Sequence, residues 1–557
     1  MPLNFNKCAQ IVAGDSGSGG RSVGSQAGAR SAPVAGLIMD RRCFIRALGT
    51  LSALAAPLAS AKPRAPAGYD PVERTLAELA HAQASGEASA EMIAAAYLER
   101  IARYDRQGPA HRAVLSVNPD LLAAARALDA ERRLGRVRGP LHGLPLLIKD
   151  NIATADPLAT TAGSLALAGS THTVDAALVG RLRAAGALVL GKANLSEWAN
   201  FRSTHSSSGW SAVGGQTRNA YDRERNPSGS SSGSAVATAA SFCAAAIGSE
   251  TNGSILAPAA LNGLVGLKPT LGLISGAGIV PLSPRQDTAG PIGRTVADVA
   301  TLAGVMAERP LGYGSHGSDL EAFRLAGVRI GVLAASKGSH PEAPPLFAQA
   351  RSALAAEGAT LIELTAPAAF DEMDGVETVA LQYEFKAAID GYLASLDPAR
   401  IAVRSLRQLI EFNRAHAREE LAIFDQDILE QSEARGPLTD TAYLKAVATL
   451  ERCADREGLA SLLVQQGVEL LLAPGVGPAD RLDDVWGDRS GDGGWPVIAS
   501  AAAIAGYPSL TVPAGLVRGL PVGLVLVGAR NQDGLLLQVA RAYERATRAR
   551  VPPILRA

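Results

Sequence analysis

Short, mostly apolar runs recur along this chain: GLPLLIK (143–149), ALVLGKAN (187–194), VRIGVLAA (328–335), ATLIEL (359–364) and, towards the C-terminus, GVELLLAP, PSLTVPAG and PVGLVLVG. Each is too short for an average helix and has consecutive rather than alternating apolar residues, which is the pattern of strands buried on both faces. Between the first two lies VDAALVGRLRAAG, a helix ending at Gly186, and between the next two PPLFAQARSALAAEG. Strand, helix, strand therefore repeats, and the expected class is α/β, a large mixed β-sheet flanked by helices. Tyr69 to Asp105 reads as helical, with Ser89 as an N-cap and Ile93, Tyr97, Ile101 and Tyr104 on one face. SAVATAASFCAAAIG reads as a small-residue helix, and residues 376–465 as a charged, mainly helical insertion. No repeat of 20–50 residues is present.

At 557 residues the length alone suggests three or four domains. The interleaving of strands and helices overrides that prior and puts 62–557 in a single domain. With 47% hydrophobic and 19% charged residues, an aliphatic core can form. Basic and acidic residues both number 53, so no global positive field exists to hold nucleic acid or an anionic membrane. No apolar run of transmembrane length follows the leader. The expected leader leaves Cys243 and Cys453 as the mature cysteines, and no C-x-x-C, His-x-x-x-His or H-E-x-x-H spacing occurs, so neither metal nor cofactor is expected.

Residues 1–38 are rich in Gly, Ser and Ala without periodicity, and are expected to be disordered or untranslated, with Met39 a second candidate start. Residues 39–61 have the parts of an export signal: Arg41-Arg42 with Phe44-Ile45-Arg46, a mild apolar run, and Ala59-Ser60-Ala61. The paired arginines resemble the twin-arginine signal, so cleavage after Ala61 and a periplasmic or secreted product are expected.

Residues 203–234 form a Ser/Gly/Asn-rich stretch too long for an ordinary connection and flanked by core-forming segments, which marks a functional loop. Within it, Gly229-Ser230-Ser231-Ser232-Gly233 fits the G-x-S-x-G elbow, with Ser231 as nucleophile. That elbow requires a strand before it, where this chain has YDRERNPS, and a histidine late in the fold, whereas none follows His416. A serine nucleophile still needs a base. The chain has eight lysines against 45 arginines, and Lys149 ends an apolar strand. Unlike arginine, a desolvated lysine can surrender its proton near neutral pH. The residues alone leave open a snorkelling or Asp-paired Lys149.

GLPLLIKDNI, SGSSSGSA and GSETNGSILAPAALNGLVGLKPT, in that order, resemble the amidase signature family, and DTAGPIGRTVAD and GYPSLTVPAGLVRGLPVGLVLVG extend the likeness over nearly all of the mature chain. The resemblance implies a Ser–Ser–Lys triad. Lys149 is then the base, Ser230 the bridging serine on a cis peptide bond, and Ser254 the nucleophile that forms an acyl-enzyme. Backbone N–H groups of Thr251, Asn252, Gly253 and Ser254 form the oxyanion hole.

Three positions depart from the commonest family pattern: Ser249-Glu250 for Thr-Asp, Asn252 for Gly, and Leu256 for Arg. The departures, with SEWANFRS, SGWSAVGGQTRN and YEFKAAIDGY, are similar to the peptide amidase subgroup, which removes the C-terminal carboxamide of peptides as ammonia. The expected partners are therefore an amide or amidated-peptide substrate and water. The alternatives are a general aliphatic, aromatic or fatty-acid amide hydrolase, and a catalytically dead binding protein of the same fold. An amidotransferase subunit is disfavoured by the export signal.

Overall fold

Alternate residues of single strands belong to two different apolar clusters, and this determines the architecture. In the strand Leu470–Pro474, Leu470 and Leu472 pack into one cluster while Leu471 and Ala473 pack into the other. Val525 and Val527 are likewise separated from Leu524 and Leu526. Both faces of the sheet are covered, as the continuous apolar runs require. The computed structural model describes residues 69–313, 319–333, 340–488 and 495–555. The expected leader 1–38 and signal 39–61 lie outside the described residues.

The sheet strands are β1 (Val114–Val117), β2 (Pro145–Lys149), β3 (Leu188–Ala193), β6 (Ala245–Glu250), β7 (Val265–Lys268), β8 (Thr288–Gly293), β9 (Arg329–Val332), β10 (Thr360–Glu363), β11 (Leu470–Pro474), β12 (Ser509–Val517) and β13 (Leu520–Gly528). A separate two-stranded ribbon, β4 (Trp210–Ser211) with β5 (Gly215–Gln216), lies in the Ser/Gly-rich stretch. The eleven run in the order β1-β3-β2-β6-β8-β7-β12-β13-β11-β9-β10. β2 is parallel to both β3 and β6, and β9 to both β10 and β11, while the remaining pairs are antiparallel. The sheet is mixed, as expected.

Most expected elements fall where the apolar runs put them, with two corrections. SAVATAASFCAAAIG is not one helix. Helix Ser232–Ala239 stops, Ser241 turns with φ 55°, and Ala245–Glu250 becomes β6 between β2 and β8. A short apolar run has no period to distinguish a strand from a buried helix, and alanine's helix preference is overridden when sheet partners wait on both sides. Tyr69–Asp105 is also interrupted: helix Leu76–Ser85 ends at Gly86 (φ 79°), and Ala90–Arg100 restarts with the Ser89 hydroxyl accepting from Met92 N–H.

The insertion is helical as read, with Val376–Ser395 its longest helix. Leu381, Phe385, Ile389 and Leu393 of that helix share an apolar cluster with Trp198 and Phe201. Arg202, ion-paired within its own segment to Glu197 at 2.7 Å, crosses this seam by donating to the carbonyl oxygens of Glu420 (2.6 Å) and Phe424 (2.9 Å), and its guanidinium lies 4.0 Å from the ring centroid of Phe424. The insertion is thus fastened to the segment leading into the Ser/Gly loop.

Candidate active site

Because β2 and β6 are parallel, with Ile148 opposite Ile247, their C-terminal ends emerge together. Lys149 from β2 and Ser249 from β6 meet at the carboxyl edge of the sheet, where open α/β sheets bind ligands. Lys149 is fully buried. Its Nζ lies 2.7 Å from Ser230 Oγ, 3.0 Å from the carbonyl oxygen of Ser249 and 2.9 Å from Ser249 Oγ. Asp150 does not pair with it, being turned towards Lys192 at 3.8 Å. Burial lowers the Lys149 pKa from 10.5 to about 7, opposed by the more distant charges of Glu250 and Asp287. The snorkelling and Asp-paired readings of this lysine both fail.

Ser230 follows a cis Gly229–Ser230 bond just before helix Ser232–Ala239. Its carbonyl accepts from Ser196 N–H at 3.1 Å. Ser231, the rival nucleophile, is fully buried and occupied in the scaffold. Its hydroxyl donates to Ser249 O (3.1 Å) and accepts from Ser249 N–H (3.2 Å), while its own N–H donates to Ser254 O (3.1 Å). These bonds fasten the Ser/Gly loop to the end of β6 and to the backbone of Ser254. Gly248 permits the close approach, since a Cβ there would lie 2.7 Å from Ser231 Oγ.

The turn 251–254 connects β6 to helix Leu256–Leu261, with Gly253 at φ 83°, a conformation that favours glycine. Sequence reasoning missed what shapes it. Glu250 Oε2 accepts from the N–H groups of Ile255 (2.7 Å) and Leu256 (3.1 Å). Burial raises the Glu250 pKa, and the Lys268 ammonium opposes the shift. The departure Ser249-Glu250 thus has a local meaning: the serine cradles Lys149 and the acid caps the first turn of the next helix. Thr251 Oγ1 donates to Asp287 at 2.6 Å, and Asn252 Nδ2 donates to Glu377 of the insertion at 2.9 and 3.0 Å. Trp495 Nε1 donates to Asn252 Oδ1 at 3.1 Å. The hold of Ser249 on Lys149 was also missed, although Ser249 is one of the departures noted in the sequence, and so was Asn151, whose Nδ2 donates to Ser249 Oγ at 2.9 Å. Nothing local in the sequence signals Glu377 or Trp495.

Elsewhere, His205, Asp425 and Asp427 bring ligand-type atoms within 4.8 Å of one another at the surface. The two carboxylates accept from the Ser203 hydroxyl and from Thr204 N–H (2.9 Å) and Oγ1 (3.0 Å).

Among the described residues no helix is long and apolar enough to cross a membrane. The Amidase family profile matches residues 92–537. The peptide amidase of Stenotrophomonas maltophilia superposes with a TM-score of 0.80 at 46% identity, over 87% of this chain and 99% of that one. An amidase family protein from Bacillus anthracis superposes with a TM-score of 0.76 at 34% identity, over 87% of this chain and 93% of that one. A protein of Arabidopsis thaliana named a probable amidase is 36% identical over 503 residues, 86% of this chain and 91% of its own. A mixed eleven-stranded sheet carrying a buried lysine–serine contact, together with these matches, leads to one assignment: the chain belongs to the amidase family, resembles the bacterial peptide amidases, and is an amide-hydrolysing enzyme.

Proposed function

We propose that the enzyme hydrolyses primary carboxamides, C-terminal peptide amides foremost, by a Ser254–Ser230–Lys149 relay. The observation that carries the reading is the 2.7 Å contact between a fully buried lysine and Ser230. A neutral amine has two N–H bonds and one lone pair. The two oxygens of Ser249, at 2.9 and 3.0 Å, take the N–H bonds and leave the lone pair for the Ser230 hydroxyl. Ser230 then gives its proton to Lys149 while accepting that of Ser254, which attacks the amide carbon. The tetrahedral oxyanion is held by N–H groups of the turn Thr251, Asn252, Gly253 and Ser254. Its collapse breaks the C–N bond, and the proton held by Lys149 returns through Ser230 to the leaving nitrogen, releasing ammonia. Water, deprotonated by the same relay, hydrolyses the acyl-Ser254 ester to the free acid.

The preference for peptide amides rests on the likeness to the Stenotrophomonas maltophilia peptide amidase and on the departures at Glu250, Asn252 and Leu256. The test is ammonia release from a panel of amidated peptides, simple aliphatic and aromatic amides and fatty-acid amides. Peptide amides should give the highest kcat/KM. A larger value for any other class overturns the substrate assignment. Export through the paired arginines, to the periplasm or medium, completes the proposed reading.

A further inference from the structure

Asn252 lies two residues before Ser254, and its side-chain amide is bonded at both its nitrogen and its oxygen. An Asn side chain offers two donor hydrogens and two acceptor positions. Nδ2 donates to Glu377 Oε1 (3.0 Å) and Oε2 (2.9 Å), while Oδ1 accepts from Trp495 Nε1 (3.1 Å) and Ser500 Oγ (3.4 Å). These partners stand 125, 243 and 248 residues further along the chain, on the insertion helix Val376–Ser395 and around the start of helix Val497–Ala505. The restraint extends to the neighbouring turn residues. Gln286 Nε2 donates to Glu377 Oε1 (2.7 Å) and to Thr251 O (3.3 Å). The Trp495 ring lies against Gly253, where a Cβ would come within 3.1 Å of it. Residues 251, 252 and 253 are each held from outside the turn.

We propose that Asn252 is a positioning residue, which with Glu377 and Trp495 locks the 251–254 backbone in the orientation that receives the oxyanion. The inference rests on the serine-hydrolase reading above. Oxyanion donors work because they are oriented before charge develops, and a turn containing glycine has freedom to lose. The insertion helix thereby contributes to the catalytic turn without its side chain needing to touch the reacting atoms.

The test compares Asn252→Gly, which keeps a backbone-compatible residue and removes the amide, with Trp495→Phe, which keeps the ring against Gly253 and removes only the Nε1 donor. Three quantities are measured on a peptide amide: kcat and KM, inhibition by the corresponding peptide aldehyde, whose adduct with Ser254 carries the oxyanion, and inhibition by the peptide alcohol, which lacks a carbonyl. For Asn252→Gly, kcat should fall by about 10- to 100-fold, the aldehyde should weaken by the same factor, and KM and alcohol binding should stay within about threefold. Trp495→Phe should show a smaller loss of the same pattern and stands as the test should the glycine variant not fold. Full kcat with unchanged aldehyde inhibition overturns the proposal. So does parallel weakening of aldehyde and alcohol, which would make Asn252 a pocket wall. Ser254→Ala separates the two readings: if it retains turnover the serine mechanism itself fails, whereas a dead Ser254→Ala beside a fully active Asn252→Gly removes only the positioning role.

Discussion

Ser249 holds Lys149 twice, through its carbonyl oxygen at 3.0 Å and its hydroxyl at 2.9 Å, and so directs the amine of one strand from the end of the next. The pairing follows from the parallel register of β2 and β6, with Ile148 opposite Ile247. Ser249→Ala removes one of the two acceptors while sparing the fold of β6. The amine then gains rotational freedom, and kcat should fall about tenfold, the worth of roughly one net hydrogen bond. N–H···O bonds stabilise the ammonium more than the amine, so the apparent pKa in the kcat/KM profile should also move down. An unchanged profile with unchanged kcat would mean that the carbonyl alone positions Lys149.

Export is testable independently of chemistry. N-terminal sequencing of protein recovered from the periplasm or medium should begin at Lys62, and substituting both Arg41 and Arg42 by Lys should retain the precursor in the cytoplasm. A mature N-terminus upstream of Met39, or cytoplasmic retention of the unaltered chain, contradicts the proposal.

Lys149 could be singled out from an apolar run ending in lysine, whereas Ser230 and Ser254 were named only through the resemblance of the Ser/Gly loop and the glycine turn to the amidase signature family. The side chains that hold them were not legible, for a physical reason. Glu377 and Trp495 reach the turn from 125 and 243 residues beyond Asn252, and no local periodicity encodes such a contact. β6 escapes a sequence reading for a different reason. Its alanines satisfy helix and buried-strand rules alike, and only its neighbours β2 and β8 decide between them. The insertion was readable as helix from its own pattern, but its grip on Asn252 was not.

The rival serines make opposite predictions. Ser254→Ala should abolish acylation by an active-site phosphonate and reduce turnover to background. Ser231→Ala should retain substantial turnover, because Ser231 Oγ bonds Ser249 O and N–H rather than Lys149. It leaves the Ser249 N–H without that partner in a buried site, so it should cost about 1–3 kcal/mol, read as a lower midpoint of thermal or urea unfolding. A dead Ser231→Ala beside an active Ser254→Ala would restore the elbow reading and dismantle the relay.

The base is where the physics is most exposed. Lys149 must be neutral to take a proton, and burial, against the opposing pull of Glu250 and Asp287, lowers its pKa to about 7. The sign is fixed: protonation removes the lone pair, so kcat/KM should fall as pH drops through about 7 and level off above it. The titration belongs to the coupled lysine–serine unit rather than to one atom. Lys149→Ala removes the base and leaves a cavity. Lys149→Met removes the base while filling most of the space, and should fold best of the variants. Lys149→Arg keeps a cation that does not surrender its proton, so it should be as inactive as the alanine variant even at pH 9, above the wild-type titration. An arginine variant with near-normal turnover would make position 149 a structural cation, and proton transfer through Ser230 would have to be abandoned.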